Sequence, residues 1–159
     1  MGSYKNVTTE TNVSSVEDAI SNLEELGNEC REIVDNASDG LKETSRIQTF
    51  DETAGTLEGI SAPDIPECVA DLPMTVTTSQ STRKGRGESR AVRCANEVAV
   101  LSAARDAVDE WINTRTGEIE DEGGSVDDDE DVQAAVEFVG ELENIISDAE
   151  NCEFPGMYG

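Results

Sequence analysis

No histidine occurs among the 159 residues. That removes Ser-His-Asp and Cys-His nucleophilic catalysis, imidazole acid–base work, and His-ligated zinc or iron. Aromatic residues make up only 4% of the chain, so base stacking has little to work with. No run approaches the roughly 18 apolar residues of a membrane span. No basic-then-apolar N-terminus marks a secretory leader. The expectation is a soluble, cytoplasmic protein with no membrane partner, so the Asn-x-Ser/Thr matches at Asn6, Asn12 and Asn36 carry no weight.

Nucleotide motifs are missing as well. There is no Gly-x-x-x-x-Gly-Lys-Ser/Thr loop and no Gly-x-Gly-x-x-Gly fingerprint. Gly85-Arg-Gly87 is a two-glycine fragment with no strand before it and no acid at the right distance after it. The four cysteines, Cys30, Cys68, Cys94 and Cys152, form no Cys-x-x-Cys pair. Three of them fall on apolar stripes, where a thiol behaves as a small hydrophobe. Reduced core cysteines are expected, not disulfides or a zinc site, and Cys68 on a proline-rich crossover is the most exposed of them. No cofactor, no metal and no catalytic residue is assigned.

Negative charge is what the chain has in excess. It carries 36 acidic against 11 basic side chains, a net −25. Such a charge repels nucleic acid and anionic membranes and keeps a protein soluble. It is unevenly spread. Residues 1–82 hold 4 basic and 16 acidic side chains, and residues 94–159 hold 2 and 19. Between them lies a basic island of Arg83, Lys84, Arg86, Arg90 and Arg93 against Glu88 alone. An acidic body with one basic island constrains function more than the total does.

Apolar periodicity marks the helices. From Val16 to Ile60 apolar residues recur at spacings of three and four: Val16, Ala19/Ile20, Leu23, Leu26, Cys30, Ile33/Val34, Ala37, Leu41, Thr44 and Ile47. This pattern predicts a helix packed lengthwise on others. Ser14-Ser15-Val16-Glu17 reads as a capping box at its start. The stripe keeps its phase through Ser38-Asp39-Gly40, so a helix over about 14–61, roughly 68 Å per 45 residues, is expected to continue there and act as a spine. A break at Gly40 would make it two helices. Residues 1–13 lack a period and read as a flexible arm.

Pro63 and Pro66 end the first helical region. The crossover 62–87 contains a β-branched stretch at 74–82 that suits an extended arm or short strand. A second helix is expected over 88–113, followed by a loop at 114–126 that carries Gly117 and Gly123-Gly124. Ser125 then caps a third helix over 126–153, with Ala135, Phe138/Val139, Leu142, Ile145/Ile146, Ala149 and Cys152 in heptads. Residues 155–159 form a tail. The fold class is therefore all-α, an elongated bundle or coiled coil of three long helices in a single domain over 14–154.

Two acidic groups invite a functional test. Glu17, Glu24, Glu25, Glu32 and Asp35 recur on the outer side of the first helix. Asp127, Asp128, Asp129, Glu130 and Asp131 crowd the start of the last. The spacing Asp127-x-Asp129-x-Asp131 begins like a calcium loop, but Val132 stands where glycine is needed and Phe138 where a glutamate is needed. Helix N-terminal charge is the simpler account.

These features lead to a non-enzymatic assembly or adaptor protein that acts through protein–protein contacts and self-associates. A phage or mobile-element accessory or structural protein fits that type. The island is expected to pair with an acidic surface, its own or a second copy's, with 118–131 as candidate partner; direct nucleic-acid binding is not expected. The alternative is a DNA mimic whose carboxylates occupy the basic groove of a target enzyme. Catalysis ranks behind both, because carboxylates alone would have to do the chemistry.

Overall fold

The structure, a computed structural model, describes residues 4–85 and 87–155. The described chain is mostly helical, with six α-helices and one two-stranded antiparallel sheet. That architecture replaces the expected bundle of three long helices.

The sheet holds the first departure. Strand β1 (Tyr4–Asn12) pairs antiparallel with β2 (Pro73–Ser81), Tyr4 opposite Ser81 and Asn12 opposite Pro73. The segment read as a loose arm is thus half of a ribbon. Its polar residues show no alternation of their own, because the buried positions lie on the partner strand. Met74 and Val76 of β2 are buried on the core side, and β2 packs on the long helix α5. The extended reading at 74–82 is a strand displaced by one residue.

Helix α1 (Val16–Asn36) follows a 3-10 turn over Val13–Ser15. The expected capping box does not form. Asn12 Oδ1 accepts from the Ser14 N–H at 3.1 Å, and Ser15 makes no side-chain capping bond. The α1 stripe itself is buried at Val16, Ala19, Ile20, Leu23, Leu26, Gly27 and Cys30.

The stripe then turns back on itself. Ala37 adopts an extended backbone (ψ 141°), and a one-turn helix α2 (Asp39–Lys42) contains Gly40. Thr44, again extended, opens α3 (Ser45–Glu58), its side chain accepting from the Ile47 N–H at 3.4 Å. The expected continuous helix over 14–61 is therefore a hairpin of α1 and α3. Unbroken phase misled because the residues that bridge it are not core residues: Leu41 is 55% exposed and Thr44 is exposed too. Gly27 lets the two helices approach, since a Cβ there would lie 2.9 Å from Leu57 Cβ.

After a one-turn helix α4 (Glu67–Ala70) and β2, helix α5 runs from Arg90 to Asp121. Ser89 caps it by accepting from Val92 N–H at 3.2 Å. Its 32 residues make it about 48 Å long. It passes through Gly117 and takes in residues 114–121 of the expected loop. It closes instead at Gly123 (φ +79°), whose N–H bonds Glu120 O, while Gly124 N–H bonds Ile119 O. That is a left-handed helix stop of the kind glycine permits. A 3-10 turn (Val126–Asp128) leads to α6 (Glu130–Glu150), capped by Asp129 and not by Ser125. Asp129 Oδ1 accepts from Val132 N–H at 2.9 Å.

Helix α5, not the first helix, is the spine. It touches α6, β2 and α1, and α1 in turn touches α3. The main core joins Leu23, Leu101, Val108, Phe138 and Leu142, while a smaller cluster of Cys30, Phe50 and Ala54 sits between α1 and α3. The buried Thr53 hydroxyl ties α3 to the far end of the chain, donating to Glu153 O at 2.8 Å and accepting from Glu153 N–H at 3.3 Å.

Candidate interaction surface

The basic island divides in two. Arg90 and Arg93, on the first turns of α5, face Glu29 of α1. Arg90 Nε lies 3.3 Å from Glu29 Oε1, and Nη1 and Nη2 of Arg93 both bond the same carboxylate, Nη1 at 2.9 Å. The forked contact with Arg93 holds the Glu29 carboxyl below its ordinary range, against the opposing effect of partial burial. These two arginines therefore belong to the α1–α5 seam. Arg83 and Lys84 lie in the turn beyond β2, exposed and without an ion pair among the described residues. Gly85 in that turn has φ +78°. Arg86 lies outside the described residues.

The acids are placed as differently. Glu17, Glu24, Glu25, Glu32 and Asp35 are all exposed on α1, and helical geometry puts them within about 100° of one another. Asp127, Asp128, Glu130 and Asp131 are exposed as well. Asp129 is committed to the α6 cap and to Arg115, whose Nη2 stands 2.9 Å from Asp129 Oδ2. The segment 118–131 thus draws its internal cation from Arg115, while the island's internal partner is Glu29.

Other cations are spent inside the molecule too. Arg31 on α1 reaches both Asp51 and Glu58 of α3, the second at 2.9 Å. Arg46 lies over the Phe50 ring, 5.0 Å from its centre.

Glu29 and Asn96 are the residues that sequence reasoning missed. Asn96 lies in a polar cleft of about 280 Å³ between α1 and α5, beside Asn22, Glu88, Arg93 and Glu97. Its amide bonds both backbone groups of Ser79, with Oδ1 accepting from Ser79 N–H and Nδ2 donating to Ser79 O, each at 2.8 Å. Glu88 Oε1 accepts from Ser81 N–H at 3.2 Å. Together these side chains cap the Ser79–Ser81 end of the outer edge of β2. Glu97 accepts from Asn22 Nδ2 at 3.2 Å, and burial holds its carboxyl above the ordinary range. In this polar cleft Asn22, Glu88, Arg93, Asn96 and Glu97 each already hold a hydrogen-bond partner. One signal was available: Asn96 is an amide beside the apolar positions Cys94, Ala95 and Val98.

All four cysteines are free, Cys30 and Cys94 buried, Cys68 and Cys152 half-buried. Burial pushes the Cys94 thiol up to about 12 and that of Cys152 to about 11, which leaves both protonated at neutral pH. Among the described residues no three Cys, Asp or Glu side chains are grouped to hold a metal ion.

No protein-family model, curated protein or solved structure matches this chain. Among the described residues, no helix is long and apolar enough to cross a membrane.

Proposed function

We propose that this chain is a non-enzymatic, acidic assembly protein that acts through protein–protein contacts and associates with itself. The exposed turn at Arg83 and Lys84 carries the reading. Other arginines of the fold are drawn into internal pairs, whereas this turn offers positive charge outward on a chain of net −25. A surface of that sign complements the acidic exterior of a second copy. The half-buried acids Glu29 and Asp129 are held by Arg93 and Arg115 and serve packing, which fits a binding role better than a catalytic one. Light scattering tests the reading: a mass above the monomer is expected at micromolar concentrations, and a clean monomer across the accessible range overturns it.

A second reading has its own support in the exposed α1 stripe of Glu17, Glu24, Glu25, Glu32 and Asp35. Those five acids span 19 residues, about 27 Å of helix from first to last, against one phosphate per about 3.4 Å along each DNA strand. The stripe is sparser than the surface it would imitate, so mimicry ranks second. Displacement of DNA from a basic DNA-binding enzyme at low salt would support mimicry, and failure to compete would remove it.

A further inference from the structure

The two edges of the ribbon are treated differently. The bonds from Asn96 to Ser79 show that the backbone groups of Ser79 point away from β1. Asn6, its partner across the ribbon, therefore belongs to a non-hydrogen-bonded pair. Alternation extends this to Thr8 opposite Thr77 and Glu10 opposite Thr75. The 3.2 Å contact between the Thr8 and Thr77 hydroxyls agrees, because side chains approach most closely in such pairs. The outward N–H and C=O groups of Asn6, Thr8 and Glu10 then face away from β2. They carry no backbone bond to any other described residue. All three residues are exposed. Asn96 and Glu88 cap the β2 edge at Ser79 and Ser81, whereas the β1 edge carries no such side-chain cap over its nine residues, about 30 Å. An open edge of that length is a template for another strand.

We propose that the β1 edge pairs antiparallel with the β1 edge of a second copy of this chain, joining two ribbons into one four-stranded sheet. This rests on the self-association proposed above and names its surface. Charge selects the occupant and the direction. Strand β1 carries one Lys5 and one Glu10, so it is locally neutral on a chain whose remaining surface repels its own kind. The ribbon's two ends differ in sign. Arg83 and Lys84 follow the end where Tyr4 faces Ser81. At the other end Glu10 shares a cleft of about 570 Å³ with Asp106 and Glu110 of α5. Antiparallel pairing about a two-fold axis sets the basic end of each copy beside the acidic end of the other; parallel pairing would set like against like. Outward groups must meet outward groups, so even-numbered residues of β1 face even-numbered residues of the partner strand. Asn6 and Glu10 can meet in such a register with no like charges opposed.

Amide hydrogen exchange with light scattering tests this on the full chain. The amides of Val7 and Thr9, which point into the ladder with β2, should be protected at every concentration. Those of Asn6, Thr8 and Glu10 should exchange fast when dilute and become protected only as the mass rises. Thr8→Pro removes one outward donor and should return the protein to the monomer mass, with Val7 and Thr9 reporting whether the ribbon survives. If it does not survive, the wild-type exchange pattern decides. Association with the Thr8 amide still exchanging fast overturns the edge pairing and leaves self-association standing. A monomer at all concentrations overturns both.

Discussion

Two helical hairpins make up most of this molecule, and they turn by different means. The α5–α6 turn is built on backbone conformation: Gly123 takes a left-handed φ and two N–H groups close back on Ile119 and Glu120. Helix α6 then buries Ala135, Phe138, Leu142, Ile145 and Ile146. The α1–α3 turn has no left-handed residue among those described. It changes direction at the extended residues Ala37 and Thr44, with a one-turn helix between them. Its helices meet at Gly27 against Leu57, and Arg31 reaches across from α1 to Asp51 and Glu58 of α3. Apolar period therefore reports which face of a segment is covered. It does not report whether the segment is one helix or two.

Substitutions at three glycines would break this contrast in opposite directions. Gly27→Val forces a side chain into the α1–α3 contact and should cost about 1–3 kcal/mol, read as a fall in the urea midpoint. Gly123→Ala imposes a Cβ on a left-handed residue and should cost about 1–2 kcal/mol while leaving α1–α3 untouched. Gly140→Ala should go the other way. Gly140 is exposed on α6 with nothing within 4 Å of a Cβ, so better helix propensity should stabilise by about 0.5–1 kcal/mol.

Changes of pH distinguish the internal contacts of the α1–α5 seam. The folded Glu97 carboxyl titrates above the ordinary value of 4.5 because burial disfavours its charge. Its penalty is present while it is ionised and is relieved as pH falls through the folded value toward the unfolded one. Glu29 titrates below 4.5. Its contribution is complete above that value and is lost as pH falls through the lower, folded one. Thermal stability should therefore rise on mild acidification from neutral pH and fall again as the pH drops below 4.5 and Glu29 is protonated. Glu97→Gln should flatten the rise alone. The smallest effect is expected at the α1–α3 turn itself: Leu41→Gln, at a 55% exposed site, should stay within about 0.5 kcal/mol.

Legibility in the sequence follows from where each residue finds its partner. The α6 stripe from Ala135 to Ala149 was readable because each burial repeats at a local spacing, and all of its named positions are buried. Strand β2 was half-readable from its β-branched residues. Strand β1 was not, since nothing in Tyr4–Asn12 announces pairing with residues some seventy positions away. The island read as one basic patch because sequence shows proximity along the chain. Arg90 and Arg93 turn toward Glu29 across about sixty residues, while Arg83 and Lys84 do not. Gly117 and Gly123 looked alike as punctuation, yet only the second has the backbone conformation that ends a helix.

The buried Thr53 hydroxyl has a consequence for the order of events during synthesis. Its two bonds go to Glu153, one hundred residues later. While the α1–α3 hairpin has left the ribosome and Glu153 has not, that hydroxyl lacks its native protein partner and must remain hydrated. Strand β1 likewise waits for β2. Contacts this distant favour slow, late locking over stepwise completion. The earlier of the two helical hairpins is therefore among the last parts of the molecule to become finished.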